Sequence, residues 1–71
     1  MDRAVERFGK NVRAARLSRG WTQEDLSRAT GLATVQISRI ERGVREIRLT
    51  TLVQLLAAFE APPDLLLDGL Y

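Results

Sequence analysis

Apolar residues recur along this chain at intervals of three and four, and glycine or a proline pair breaks the pattern at Gly20, Gly31, Gly43 and Pro62-Pro63. In the first segment, Val5, Phe8, Val12 and Ala15 fall within a helical arc about 80° wide, with Arg3, Arg7, Lys10 and Arg13 opposite. The spacing predicts a helix from about Asp2 to Ser18, ended by Gly20. Arg16 sits beside the apolar arc, where a partly buried charge needs a partner. Thr22 with Asp25 three residues on approximates a capping box. Trp21 is spaced to pack on Leu26 as a hydrophobic staple. A second helix should therefore start at Thr22, turn Leu26 and Ala29 inward and close at Gly31. A third, from about Ala33 to Arg42, should bury Ala33, Ile37 and Ile40, with Glu41 at the margin and Gly43 as its stop. Leu52, Leu55, Leu56 and Phe59 predict a fourth over Leu49–Phe59. The prolines end it, and Pro63 suits the first turn of a short fifth helix reaching Asp68. The predicted fold class is all-α, five helices with short connections.

Composition narrows what such a fold can do. A chain of 71 residues suffices for one domain, with modest stability. It has no cysteine and no histidine, which excludes zinc fingers, Cys or His nucleophiles and ordinary transition-metal sites. No cofactor is expected, and an enzyme is not the expected class. Without a signal-peptide pattern or a long apolar run, the expectation is a cytoplasmic protein with no membrane partner. The formal net charge of +2 hides an asymmetry. All eleven bases lie between Arg3 and Arg48, and with six acids from Asp2 to Glu46 the first 48 residues carry a net of +5. From Leu49 onward there are three acids and no bases, a net of −3. A basic part joined to an acidic, leucine-rich part suits a polyanion-binding region followed by a self-association region.

The tight turn at Gly31-Leu32 joins two short helices, the arrangement whose second helix enters the DNA major groove. The outward face of that second helix carries an apolar residue, Val35, near its N-terminal end, a chemistry that meets a thymine methyl. Thr34, Gln36, Ser38 and Arg39 around it are types that bond base edges, and Arg39 can fork onto guanine. Arg42, Arg45 and Arg48 follow at three-residue intervals, where phosphates would flank the groove. A packing-only helical hairpin with a solvated arginine face is the competing reading.

The segment WTQEDLSRATGLATVQISRIERG resembles the phage-repressor and Cro (XRE-like) family of helix-turn-helix regulators. The likeness continues through REIRLTTLVQLLAAFEAPPDLLLDGL and so spans nearly the whole chain. It implies a five-helix, lambda-repressor-like domain over residues 1–71, with the helix-turn-helix unit at 22–43. It also implies base contacts from Thr34, Val35 and Arg39, with Gln36 and Ser38 nearby. Gln23 takes the position of a phosphate contact, and Arg16 and Glu41 those of a salt bridge between the first and third helices. Two residues depart from the family pattern: Glu60 stands where glycine is usual, and Pro62 where a capping serine is common. The family includes restriction–modification controller proteins, antitoxins and Cro-type switches.

The expected function is sequence-specific binding of a double-stranded, near-palindromic operator by a homodimer, without a small-molecule ligand. Dimerisation is expected in the region of about 60–71, through Leu65, Leu66, Leu67, Leu70 and Tyr71, because so short a helix cannot turn all of them into its own core. The alternative is an antitoxin-like module that binds a protein and also regulates its own operon.

Overall fold

Ten apolar side chains, drawn from five helices and one loop, meet in a single core: Phe8, Val12, Ala15, Leu26, Leu32, Ile37, Ile40, Leu55, Phe59 and Leu66. The computed structural model describes residues 3–71. Its helices are α1 (Arg3–Ser18), α2 (Gln23–Thr30), α3 (Thr34–Arg42), α4 (Leu49–Phe59) and α5 (Asp64–Leu67), with no strand among the described residues. Asp2, where the periodicity starts the first helix, lies outside them.

Two glycines set how α1 lies on α3. A Cβ at Gly9 would fall 2.3 Å from the Ile40 carbonyl oxygen and 2.7 Å from that of Glu41. Gly43 adopts a left-handed φ of 67°, and a Cβ there would fall 2.8 Å from Glu6 Cα. The backbones therefore touch at both points, which only a hydrogen side chain permits. A glycine inside a helix costs about 1 kcal/mol relative to alanine, and here close approach is the return.

Local chemistry sets the other boundaries. Thr22 Oγ1 accepts from the Asp25 N–H at 3.0 Å, and Asp25 Oδ2 accepts from the Thr22 N–H at 2.8 Å, so the capping box is complete. At the far end of α2, the Thr30 hydroxyl donates to the Leu26 carbonyl at 2.7 Å and accepts from the Leu32 N–H at 3.1 Å. Two inward expectations are corrected. Ala29 is exposed, because the half-buried position one turn after Leu26 is taken by Thr30. Ala33 is exposed too. It stands before α3 as an extended residue with ψ of 147°, and its carbonyl accepts the first helical bond from Ile37.

The four-residue α5 is one residue shorter at each end than the prolines and Asp68 predicted. It is too short to persist alone and is tied down from α1. Asn11 Nδ2 donates to the carbonyls of Leu66 at 2.9 Å and Asp68 at 2.8 Å, and Arg7 Nε reaches Asp68 O at 3.4 Å. Leu66 points into the core and is fully buried. At the preceding corner, Glu60 takes the left-handed conformation (φ 50°, ψ 44°) that caps α4, with its N–H bonded to the Ala57 carbonyl.

An L-residue in that region costs about 1–2 kcal/mol that glycine escapes, partly offset by glycine's freer unfolded state. Glu60→Gly is therefore expected to stabilise the fold by up to about 1 kcal/mol. A raised urea midpoint with an unchanged m-value would show it, and a lowered midpoint would show that the Glu60 side chain outweighs its backbone strain.

Candidate nucleic-acid interface

Helix α3 is gripped from behind and open in front. Its rear face buries Ile37, Ile40 and Glu41. Its front leaves Val35 59% exposed, with Gln36 and Arg39 exposed beside it and Thr34 and Ser38 half-buried at the margins. Val35 and Arg39 are four residues apart, so they share that face.

The grip centres on one ion pair. Arg16 Nε lies 2.7 Å from Glu41 Oε2 and Nη2 lies 3.1 Å from Oε1, a two-pronged contact with both side chains buried. The third guanidinium nitrogen, Nη1, donates to the Trp21 carbonyl at 2.8 Å. Gln23 Nε2 donates to the same Glu41 Oε1 at 3.2 Å. Three segments, α1, the start of α2 and the end of α3, thus meet at one buried carboxylate, and the residue before the α2 cap is tied in through Arg16. The hydrogen bonds that Arg16 donates to Glu41 raise the Arg16 pKa above its ordinary value despite burial, so the guanidinium stays charged.

The open side of α3 continues into a groove of about 590 Å³. Val35, Gln36 and Arg39 line it from α3, Arg45 and Arg48 from the following loop, and Thr50 and Gln54 from α4. The structure therefore brings together most of the residues expected at bases and phosphates. Arg42 stands apart from this groove, and its Nε donates to the Ser38 carbonyl at 3.3 Å. Gln23 lies on another hollow, with Thr22, Glu24, Arg16 and Thr34, at the adjoining starts of α2 and α3. Sequence reasoning passed over Thr50 and Gln54, which in a leucine-rich helix read only as its solvated side. It also passed over Arg19, whose guanidinium lies 4.9 Å from the Phe59 ring centroid and 6.0 Å from that of Trp21. Arg19 also donates to the Phe59 carbonyl at 2.8 Å. Trp21 and Phe59 stack with centroids 5.8 Å apart, so the tryptophan ring joins α4 to the start of α2.

One expectation for the opposite side is corrected. Leu66 cannot serve a subunit contact, because it is wholly buried in its own chain, between the tethers of Asn11 and Arg7. Leu67 and Leu70 are half-buried against the core, while Leu65 and Tyr71 are exposed. On α4, Leu49 is 75% and Val53 58% exposed, and neither had been singled out.

The helix-turn-helix family pattern matches residues 12–66, well over half of the chain, with α2, α3 and α4 whole, the end of α1 and most of α5. The chain belongs to the helix-turn-helix family. This is a family of DNA-binding transcriptional regulators and not an enzyme class. The crystal structure of the restriction-modification controller protein C.AhdI from Aeromonas hydrophila superposes with a TM-score of 0.82 at 31% identity, covering 87% of this chain and 94% of that one. Uncharacterised HTH-type transcriptional regulators of Mycobacterium bovis and Mycobacterium tuberculosis are 38% identical over 58 residues. Those residues are 82% of this chain but 23% of the mycobacterial proteins, so the chain spans less than a quarter of their length. Among the described residues of this helix-turn-helix protein, no helix is long and apolar enough to cross a membrane.

Two measurements probe the scaffold behind α3. Replacing Arg16 or Glu41 singly leaves the other charge buried without its partner and is expected to cost about 3–5 kcal/mol. The double replacement should recover part of that loss, and a double-mutant cycle with negligible coupling would remove the pair from its central place. The second concerns acid. Backbone and side-chain hydrogen bonds from Thr22 hold the Asp25 carboxyl below its ordinary value. Its folded pKa is thus below its unfolded one, so its contribution is present above the unfolded value and lost as pH falls through the folded one. Melting curves below about pH 4 should therefore fall less steeply in Asp25→Asn than in the parent, and identical acid slopes would contradict the assignment.

Proposed function

We propose that this protein is an operator-binding regulator that places α3 in the major groove and binds as a two-fold dimer. The observation that carries the reading is the exposed α3 face with its arginine-lined groove, held from behind by a buried ion pair. Val35 packs on a thymine methyl, and Arg39, one turn later on the same face, forks onto guanine O6 and N7. Thr34, Gln36 and Ser38 complete the base-facing set. Gln23, Arg42, Arg45 and Arg48 hold phosphates and set the register without reading sequence. In this reading residues 1–71 act as one domain, with 22–43 as the reading unit and 60–71 as the dimerisation region.

The dimer repeats the reading in two half-sites about one helical turn apart, which makes the operator near-palindromic. Leu65, Leu67, Leu70 and Tyr71 supply the self-complementary surface. The likeness to a restriction-modification controller protein supports control by protein concentration in the cytoplasm, occupancy rising as monomers pair on the operator.

Selection of bound sequences from random duplex DNA at stated salt tests this directly. The wild type is expected to recover two inverted half-sites about 10 bp apart. Arg39→Ala should lose about 1–3 kcal/mol on that site and relax one base pair in each half. Unchanged sequence preferences with weaker binding would instead place Arg39 on a phosphate. Arg45→Ala or Arg48→Ala should weaken binding evenly on all DNA and lower the salt slope by about one unit.

A further inference from the structure

On the other side of the loop 43–48 lies a second groove, of about 290 Å³. Its walls are mainly apolar: Val5 and Phe8 of α1, Ile47 of the loop, Leu52 of α4, and Leu67 and Leu70. Arg45 and Glu46 give it a polar edge, and with Ile40 and Ile47 they also line the α3 groove. One loop is thus the partition between the two hollows. Beside Leu70, Tyr71 projects fully exposed and lies outside the groove.

We infer that in the dimer Tyr71 of each copy fills this groove in the other. The inference rests on the dimer reading above and specifies the contact that makes it. Two observations select a second copy as the occupant. First, a two-fold contact requires ligand and receptor to lie on one patch, so that each chain gives and receives at once. Leu70 is a wall of the groove and Tyr71 is the next residue, which meets that requirement. Second, a tyrosine has an apolar ring and a polar tip, matching a groove with an apolar floor and an edge bearing Arg45 and Glu46. The inserted ring braces the loop from behind, and the same loop carries Arg45 and Arg48 on the α3 groove. The contact that pairs the subunits therefore also steadies two of the phosphate-binding arginines.

The chain has a single tyrosine, so biosynthetic 3-fluorotyrosine labels position 71 alone. Fluorine NMR over a dilution series, beside sedimentation on the same samples, reads the ring environment against the dimer fraction. The resonance is expected to shift in step with dimer formation. Tyr71→Ser should raise the dimer dissociation constant about tenfold or more, with the monomer's melting temperature unchanged. Val5→Glu, checked for helicity, should abolish the shift by placing charge in the groove. Dimerisation with a stationary Tyr71 resonance, with wild-type affinity in Tyr71→Ser, or with the shift intact in Val5→Glu overturns the inference while leaving the dimer standing. A protein monomeric at all concentrations, with and without its selected operator, overturns both.

Discussion

The position of α3 depends on one buried charge pair. Glu41 is the only buried acid among the described residues and accepts from three donors on two segments: two nitrogens of Arg16 and the amide of Gln23. A hydrophobic contact at that place would hold α3 against α1 but leave it free to slide or turn. The planar, two-pronged contact fixes direction as well as distance. The proposed role of α3 needs such a fix, because base-edge hydrogen bonds lose their strength over a few tenths of an ångström. Gly9 completes the arrangement by letting the α1 backbone reach the carbonyls of Ile40 and Glu41.

From that anchor the molecule divides by charge. The basic side gathers Arg39, Arg45 and Arg48 around the groove beside α3, and its arginines are exposed. The acidic side is leucine-rich and is held to α1 by polar tethers from Asn11 and Arg7 to backbone carbonyls. A charge division of this kind steers a polyanion to one face and keeps it from the other. The loop 43–48 runs between the two sides and borders a groove on each, so structure on one side bears on the other.

Much of the fold was legible beforehand because its signals are local. The Thr22 cap, the left-handed glycines at Gly20, Gly31 and Gly43, and the proline stop each act within a few residues of themselves. The errors have local causes too. Ala29 was assigned inward by its three-residue spacing from Leu26, but a threonine hydroxyl capping the turn decided which of two neighbouring positions turned toward the core. Arg19 was passed over for the opposite reason, because no pattern near it in the chain shows that Phe59, forty residues on, will lie under it.

By itself, the sequence determined the number, order and approximate ends of the helices, the face of α3 that points outward, and the division of charge. These follow from periodicity, capping and composition, which operate over one or two turns. The tertiary structure alone decided which leucines near the C-terminal end were left over. Five apolar residues looked equivalent there, but the tethers from Asn11 and Arg7 turn Leu66 wholly inward and leave Tyr71 outside. It also decided that Arg45 and Arg48 share a groove with Arg39 while Arg42 does not. Such choices depend on the packing of segments distant in the chain, and a one-dimensional pattern holds no distance between them.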